Sequence, residues 1–496
     1  MKFFNIPFAI GLCIDDIGWW HCANLKPAGG PPRTHGNEDP KPFFYRRLTE
    51  MGKNCGTRPM GCFVMSEFDR NNTCAKPCYN KPVAPINVTE HGTQWHNNPT
   101  EEECAVMDLV KEENAWLEFG LHGVRHGHFE NNKWYSSEWA RRPIRDKDDN
   151  FTEKDHKARL WDEENRTSET VADCYTELIR QYFTEEELSF PESFAPPNHA
   201  VYYDRNSRFT TGAVLGRRGV KYANAKISGT TCVETGYPRF GVVDHGMHIL
   251  DRRTVRRTMH ARAAENPLYF PRKVPWIETH FINFWYREKE WSQYLFNINS
   301  ACHRMLARNT EQVHSQFFYN RYAKIINLPG KVIIDTTHIP QEAYDSNLLS
   351  SLVLKVRLGQ ADEIESWSCD GGINVAGYHK DIFGYGYLTV GTDEFMGRLP
   401  KGRFVIKYKT GKEKPECYAD TSLVTYNLYN MKKTDRGYEI KAKIYGTQIL
   451  RIKCGGKMAE SRDLNILGTY SDEGFLYAEI KAKSMNGDTG LLEIIQ

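Results

Sequence analysis

The chain has 496 residues, of which 65 are Lys or Arg and 63 are Asp or Glu, a formal net charge of +2. So even a balance gives no general electrostatic pull toward nucleic acid or an anionic membrane surface, and no apolar run of about 18 residues offers a membrane span. The length is enough for about three domains, and 40% hydrophobic with 26% charged residues is an ordinary globular composition.

The apolar start, Phe3 to Ile14, runs straight into Asp15 and Asp16 with no small-residue cleavage site, so it reads as a first core strand and not as a signal peptide. Short β-type runs then recur at Gly61–Met65, Trp116–Leu121, Ser193–Ala195, Val220–Ala223, Phe240–Val243 and Trp276–Glu278. Helical segments lie between them. Thr100 and Glu103 make a capping box that opens a helix with Met107 and Val110 on one face, and Val171, Cys174, Leu178 and Tyr182 repeat at helical spacing in a second. Alternating strands and helices imply a parallel α/β layout, and seven candidate strands suit a closed or nearly closed barrel. Arg141 to Ser168 is charged and aperiodic, a surface excursion. From Tyr286 to Tyr322 the pattern predicts a helix carrying Trp291, Leu295, Ile298, Cys302 and Leu306 on one stripe. Beyond Ile326 β-type runs dominate (Lys331–Asp335, Ser351–Arg357, Gly384–Val390, Arg403–Tyr408, Tyr438–Ile444, Gln448–Ile452 and Phe475–Ala482 among them), separated by turn formers such as Asp370-Gly371-Gly372. The predicted fold class is α/β: a (β/α)7-type irregular barrel with a terminal helix over 1–325, followed by a β-sandwich-rich region over 326–496.

The 13 cysteines are an odd number spread over the whole length, which suits a reduced, cytoplasmic chain better than a disulfide framework. Cys55, Cys62, Cys74 and Cys78 are too irregularly spaced for a structural zinc knuckle. The sequons at Asn71, Asn87, Asn150 and Asn165 matter only for a secreted chain, which a trimmed leader would make it.

Two runs carry chemistry. In Cys13-Ile14-Asp15-Asp16-Ile17-Gly18, two adjacent carboxylates follow an apolar strand, where a barrel opens its mouth. In Gly120-Leu121-His122-Gly123-Val124-Arg125-His126-Gly127-His128, two imidazoles stand at i and i+4, one helical turn apart and able to share an ion. A zinc protease would need Glu at Gly123. Each run alone has a bland reading, a helix cap or two surface histidines; together they offer one carboxylate and two imidazoles, a facial set that leaves coordination positions open for water and substrate.

These runs resemble the polysaccharide deacetylase family, carbohydrate esterase family 4, with the NodB homology domain, over residues 1 to about 285. The resemblance implies that Asp15 is the base, that Asp16, His122 and His126 bind a divalent metal (zinc by default, with cobalt and manganese also fitting), and that His280, in Trp276-Ile277-Glu278-Thr279-His280-Phe281, is the general acid. Asp244, in Val243-Asp244-His245-Gly246, would orient a catalytic His, and Phe194-Ala195-Pro196-Pro197-Asn198-His199 stands in place of the family's Pro-containing loop but lacks its Arg. The first motif is Cys-Ile-Asp-Asp-Ile where Thr-Phe-Asp-Asp-Gly is usual, which marks a divergent member. The implied activity is that of a metal-dependent hydrolase acting on carbon–nitrogen (non-peptide) bonds, removing an N- or O-acetyl group from an amino-sugar-containing polysaccharide or glycan, with carbohydrate as partner. Trp19, Trp20, Trp134, Tyr135 and Trp285 flank the motifs and suit stacking on sugar rings, or simple packing. Two other readings stand beside it: another C–N or glycosidic hydrolase on the same barrel, and a non-catalytic carbohydrate-binding protein.

Overall fold

The computed structural model describes residues 2–18, 42–68, 101–124, 128–130, 133–135, 169–197, 201, 203, 210–225, 241–254, 274–284 and 287–495. Seven parallel strands close into a barrel: β1 (Phe8–Ile17), β2 (Met60–Phe63), β3 (Glu118–Leu121), β4 (Ser193–Phe194), β5 (Tyr222–Ala225), β6 (Met247–Thr254) and β7 (Trp276–His280). β7 closes the ring against β1, with His280 level with Asp15. An eighth strand, β8 (Arg304–Leu306), runs parallel to the first residues of β1, Phe8–Ile10.

The alternation of side chains along β1 explains its composition. Ile10, Leu12 and Ile14 face outward into the large core under the helices, whereas Ala9 and Cys13 belong to the barrel interior with Met60, Cys62, Ala195, Leu250 and Trp276. Outside pack α1 (Pro42–Cys55), α2 (Glu101–Glu112), α3 (Glu169–Glu185), α4 (Thr211–Leu215) and α5 (Glu288–Phe296). Met107, Val110, Leu178 and Tyr182 are buried, as their helical spacing implies.

Three expectations need correction. A regular strand–helix alternation is not present: among the described residues no helix separates β5 from β6, and the strand Gly241–Asp244 stands there instead, antiparallel to β6. That hairpin turns on His245 and Gly246, both at positive φ (49° and 83°), the backbone of a two-residue loop in which glycine is favoured. The run Phe240–Val243 is therefore not a barrel strand. The sixth strand is Met247–Thr254, which the apolar pattern hid because it carries Asp251, Arg252 and Arg253. Finally, Tyr286–Tyr322 is not one helix. α5 gives way to a 3-10 turn at Asn297–Ser300, then to β8, and α6 (Thr310–Tyr322) starts afresh under Asn309, whose side chain accepts from the Gln312 N–H.

The C-terminal region is sheet-rich. An eight-stranded sheet runs through Leu352–Arg357, Tyr385–Gly391, Asn374–Lys380, Tyr418–Asp420, Thr447–Lys453, Phe475–Lys481 and Asn465–Asp472, with Phe4–Asn5 from the N-terminus as its first edge. Two four-stranded sheets share cores with it: Lys324–Leu328, Lys331–Asp335, Arg403–Gly411 and Glu363–Asp370 on one side, and Asn427–Thr434, Gly437–Ile444, Asp488–Ile495 and Met458–Glu460 on the other. The first strand of this region starts at Lys324, two residues before the expected start at 326. Among the described residues no helix is long and apolar enough to cross a membrane.

Candidate functional site

The C-terminal ends of the barrel strands carry the polar side chains. Asp15 and Asp16 can both reach this mouth because of a local irregularity. Ile14 is level with Gly61 and Ile17 with Phe63, so the two aspartates together oppose Cys62, a β-bulge. Asp16 sits at φ 61°, the left-handed region that Asp tolerates better than most residues. In a regular strand neighbouring side chains point to opposite faces; the bulge turns the second carboxylate back inward.

Asp16 is almost fully buried and lies between two imidazoles. Its Oδ1 is 3.1 Å from His122 Nε2, and its Oδ2 is 3.3 Å from His280 Nε2. His122 Nδ1 is 2.7 Å from the Ala195 carbonyl oxygen, which can only accept, so Nδ1 carries its proton. Nε2 therefore faces a carboxylate oxygen and needs a proton or a cation between them. Burial lowers the His122 pKa, but Asp15 and Asp16 outweigh it and hold it above the ordinary value of 6.5. This donor set suits a divalent ion taking that proton's place, the "histidine plus oriented second nitrogen" arrangement common to metal ligands. His122 is not on a helix: residues 122–124 are irregular, and Gly123 takes φ 97°, which a Ser or Thr there would adopt only under strain. His126 lies outside the described residues, as do Trp19, Trp20 and Trp285; Trp134 and Tyr135 are on a described strand, Lys133–Tyr135.

Asp15 is gripped by Arg252 of β6, a residue the sequence reading did not single out. Arg252 Nη1 donates to Asp15 Oδ1 and Nη2 lies by Oδ2, both at 2.9 Å, a two-pronged pair. The same guanidinium donates to Asn224 Oδ1 at 3.0 Å and has Glu278 at 3.8 Å. Burial favours the neutral acid for Asp15, but Arg252, with His122, overcomes it and keeps the carboxyl well below its usual range.

Beneath Asp15 sit two thiols. Cys13 Sγ is 3.1 Å from Cys62 Sγ and 3.3 Å from Asp15 Oδ1, and this buried trio could hold a metal ion. Two features oppose a cation there: burial pushes both thiols up, and the Arg252 guanidinium already neutralises Asp15. Cys55, at the end of α1, is elsewhere, donating to the Ser292 carbonyl.

The structure does not bring Asp244 to this cluster. It precedes β6, at the N-terminal end of the barrel, the length of a strand away from the mouth. There Asp244 accepts from Thr210 Oγ1 and the Gly212 N–H, both at 2.9 Å, and pairs with His245 Nδ1 at 2.8 Å, so it holds the start of α4. His280 meets Asp16 instead.

No protein-family model matches this chain, and no curated protein matches it.

Proposed function

We propose that the barrel mouth is the active site of a metal-dependent hydrolase of the polysaccharide-deacetylase type, acting on an acetamido group of a glycan. The observation that carries the reading is the Asp16 carboxylate set between two imidazoles, beside a second carboxylate kept ionised by a buried arginine. Asp16 and His122 would hold the ion, with His126 as the further ligand implied by the resemblance; the carboxylate–imidazole set suits zinc, cobalt or manganese. Such an ion supplies Lewis acidity, lowering the pKa of water toward about 7 and polarising a carbonyl.

The chain's own groups divide the remaining work. Asp15, ionised by Arg252, is placed to accept a proton from the attacking water. His280, the most exposed member of the cluster with a quarter of its side chain accessible (26%), can reach the leaving amine and donate to it. The barrel wall excludes bulk water from Asp15 and Asp16, which strengthens every charge–charge term among them.

The test is release of acetate from an N-acetylated glucosamine oligomer, with metal content read in the same samples. Asp15→Asn should retain metal and lose turnover by about 10²-fold or more; His122→Ala and Asp16→Ala should lose metal. Full metal and activity in His122→Ala would refute the assignment. Release of a new reducing end without acetate would point to a glycosidic hydrolase, and a glycan bound but unchanged to a carbohydrate-binding protein.

A further inference from the structure

The far end of the barrel holds a cavity, of about 220 Å³, at the seam between the barrel and the C-terminal sheets. It is walled by Phe296, Met305 and Leu306 from the α5–β8 segment and by His379, Tyr387 and Val424 from the sheets. β8 pairs with the first residues of β1, so the cavity lies about 20 Å, six strand residues, from the aspartates at the end of that strand. It is separate from the proposed active site and shares no residue with it.

One polar group in this cavity has no structural explanation. Arg308 lines it and is 5% exposed, and its buried Nη2 atom has no hydrogen-bond partner among the described residues. Nor does its side chain form an ion pair among them, although the buried Arg58, Arg252 and Lys443 each have a carboxylate and the buried Lys355 donates to three backbone carbonyls. An unpaired buried guanidinium is costly unless something else satisfies it. The nearby groups do not. Asp381 is committed to the Tyr387 hydroxyl and the Tyr385 N–H, both at 2.9 Å, and Asp420 to Arg451, Ser422 and the Ser422 N–H. His379 lies stacked on Tyr387 with ring centroids 4.4 Å apart, its Nδ1 on Thr421 Oγ1 at 2.8 Å.

We propose that this cavity binds a small organic monocarboxylate, its carboxylate on the Arg308 guanidinium and its apolar body against Phe296, Leu306 and Tyr387. A planar guanidinium edge matches a carboxylate. Arg308 is the lining cation with no ion pair among the described residues, Lys380 being paired with Glu363, and the Asp381 carboxylate also lines the cavity, so a dianion such as phosphate is disfavoured. The volume equals that of about seven waters, room for a small molecule only. Two large apolar side chains at its rim, Ile382 and Leu423, are 74% and 56% exposed, giving an apolar entrance. The occupant would touch both halves of the molecule, so binding would stabilise the folded chain by mass action.

The full chain is tested by thermal unfolding and calorimetry with butanoate, hexanoate and benzoate, against benzyl alcohol and inorganic phosphate. Expected is a saturable rise in melting temperature with at least one carboxylate and none with the alcohol or phosphate. Arg308→Met should weaken that carboxylate about tenfold or more. Val424→Trp, which fills the cavity and leaves the arginine in place, should abolish the response too, so that a misfolding Arg308 variant does not decide the matter. The proposal falls if none of the three carboxylates binds, if binding survives both substitutions, or if phosphate is the ligand that responds.

Discussion

The side chain on which the mouth depends most is Arg252. It is the counter-charge to a buried carboxylate, and its removal would leave Asp15 without one. Arg252→Met is expected to cost about 3–5 kcal/mol of stability, measured by urea unfolding, since an orphaned buried charge is far more expensive than an intact pair is favourable. A pH effect should accompany it. With Arg252 in place the Asp15 carboxyl is depressed, so its ionised form, and the stability tied to it, is fully present above the unfolded value of 3.8 and is lost only as pH falls through the lower folded value. Without Arg252, burial dominates and the carboxyl rises. The acid limb of the pH–rate profile should then move to higher pH; an unmoved limb would show that Asp15 is not the group titrating. His122 works in the opposite sense. Its pKa is raised, so the proton competes with a metal to higher pH than on an ordinary imidazole, and metal affinity should climb with pH until that proton is gone. Equilibrium dialysis against zinc across a pH series reads this directly.

Among elements, β6 and the hairpin before it teach the most. Charge density concealed β6 from an apolar-pattern reading, yet the middle one of its three charged residues, Arg252, faces a barrel interior where it has Asp15, Asn224 and Glu278 around it. The neighbouring Asp244-His245-Gly246 had the opposite fate: an acid beside a histidine after an apolar run looks catalytic, but the Gly is the signature of a tight hairpin and the Asp anchors α4. Asp244→Ala should lower stability by about 1 kcal/mol, as loss of a helix cap does, while leaving turnover unchanged; a large loss of kcat with intact folding would return Asp244 to the catalytic set. The Asp15-Asp16 pair was legible as a strand-end motif. The bulge that turns both carboxylates inward was not, because it depends on the pairing register with β2. The stripe read as one helix from Trp291 to Leu306 failed for a similar reason: three residues of it gain more as a parallel partner of β1.

At the scale of the molecule, the two regions are tied through α6 and a buried charge network. α6 is polar in sequence yet buried from Thr310 to Tyr319. It can be so because its polar groups find partners: Thr310 donates to Glu118 at 2.6 Å, Gln316 to the carbonyls of Pro7 and Val353, and His314 links the Trp276 indole to His248. Burial keeps both histidines neutral, so one proton per ring runs along that chain of bonds. Lys443, from a C-terminal strand, lies between Glu192 at 3.1 Å and Glu311 at 3.5 Å. Lys443→Met would leave Glu311 buried without its cation, while Glu192 keeps Lys221, and should cost about 3–5 kcal/mol, seen as an earlier unfolding midpoint. For the same reason a fragment ending at residue 325 should fail to unfold as one cooperative unit, because Val353, Tyr385 and Tyr387 complete the core around Trp276 and Val313; a sharp thermal transition from that fragment would contradict a shared core.

By itself the sequence determined where strands end in chemistry: apolar runs closed by Asp15-Asp16, His122 and His280 fix a parallel barrel's polar mouth, because alternating faces and strand-end charges are local properties. It also determined the change to a sheet-rich C-terminal half. Only the tertiary structure decided which of those groups meet. Register put Asp16 between two histidines, a charged strand brought Arg252 to Asp15, and the seam with the C-terminal sheets buried Arg308 with no counter-ion among the described residues. Those outcomes depend on contacts between residues tens to hundreds of positions apart, whose geometry no local pattern of residue types records.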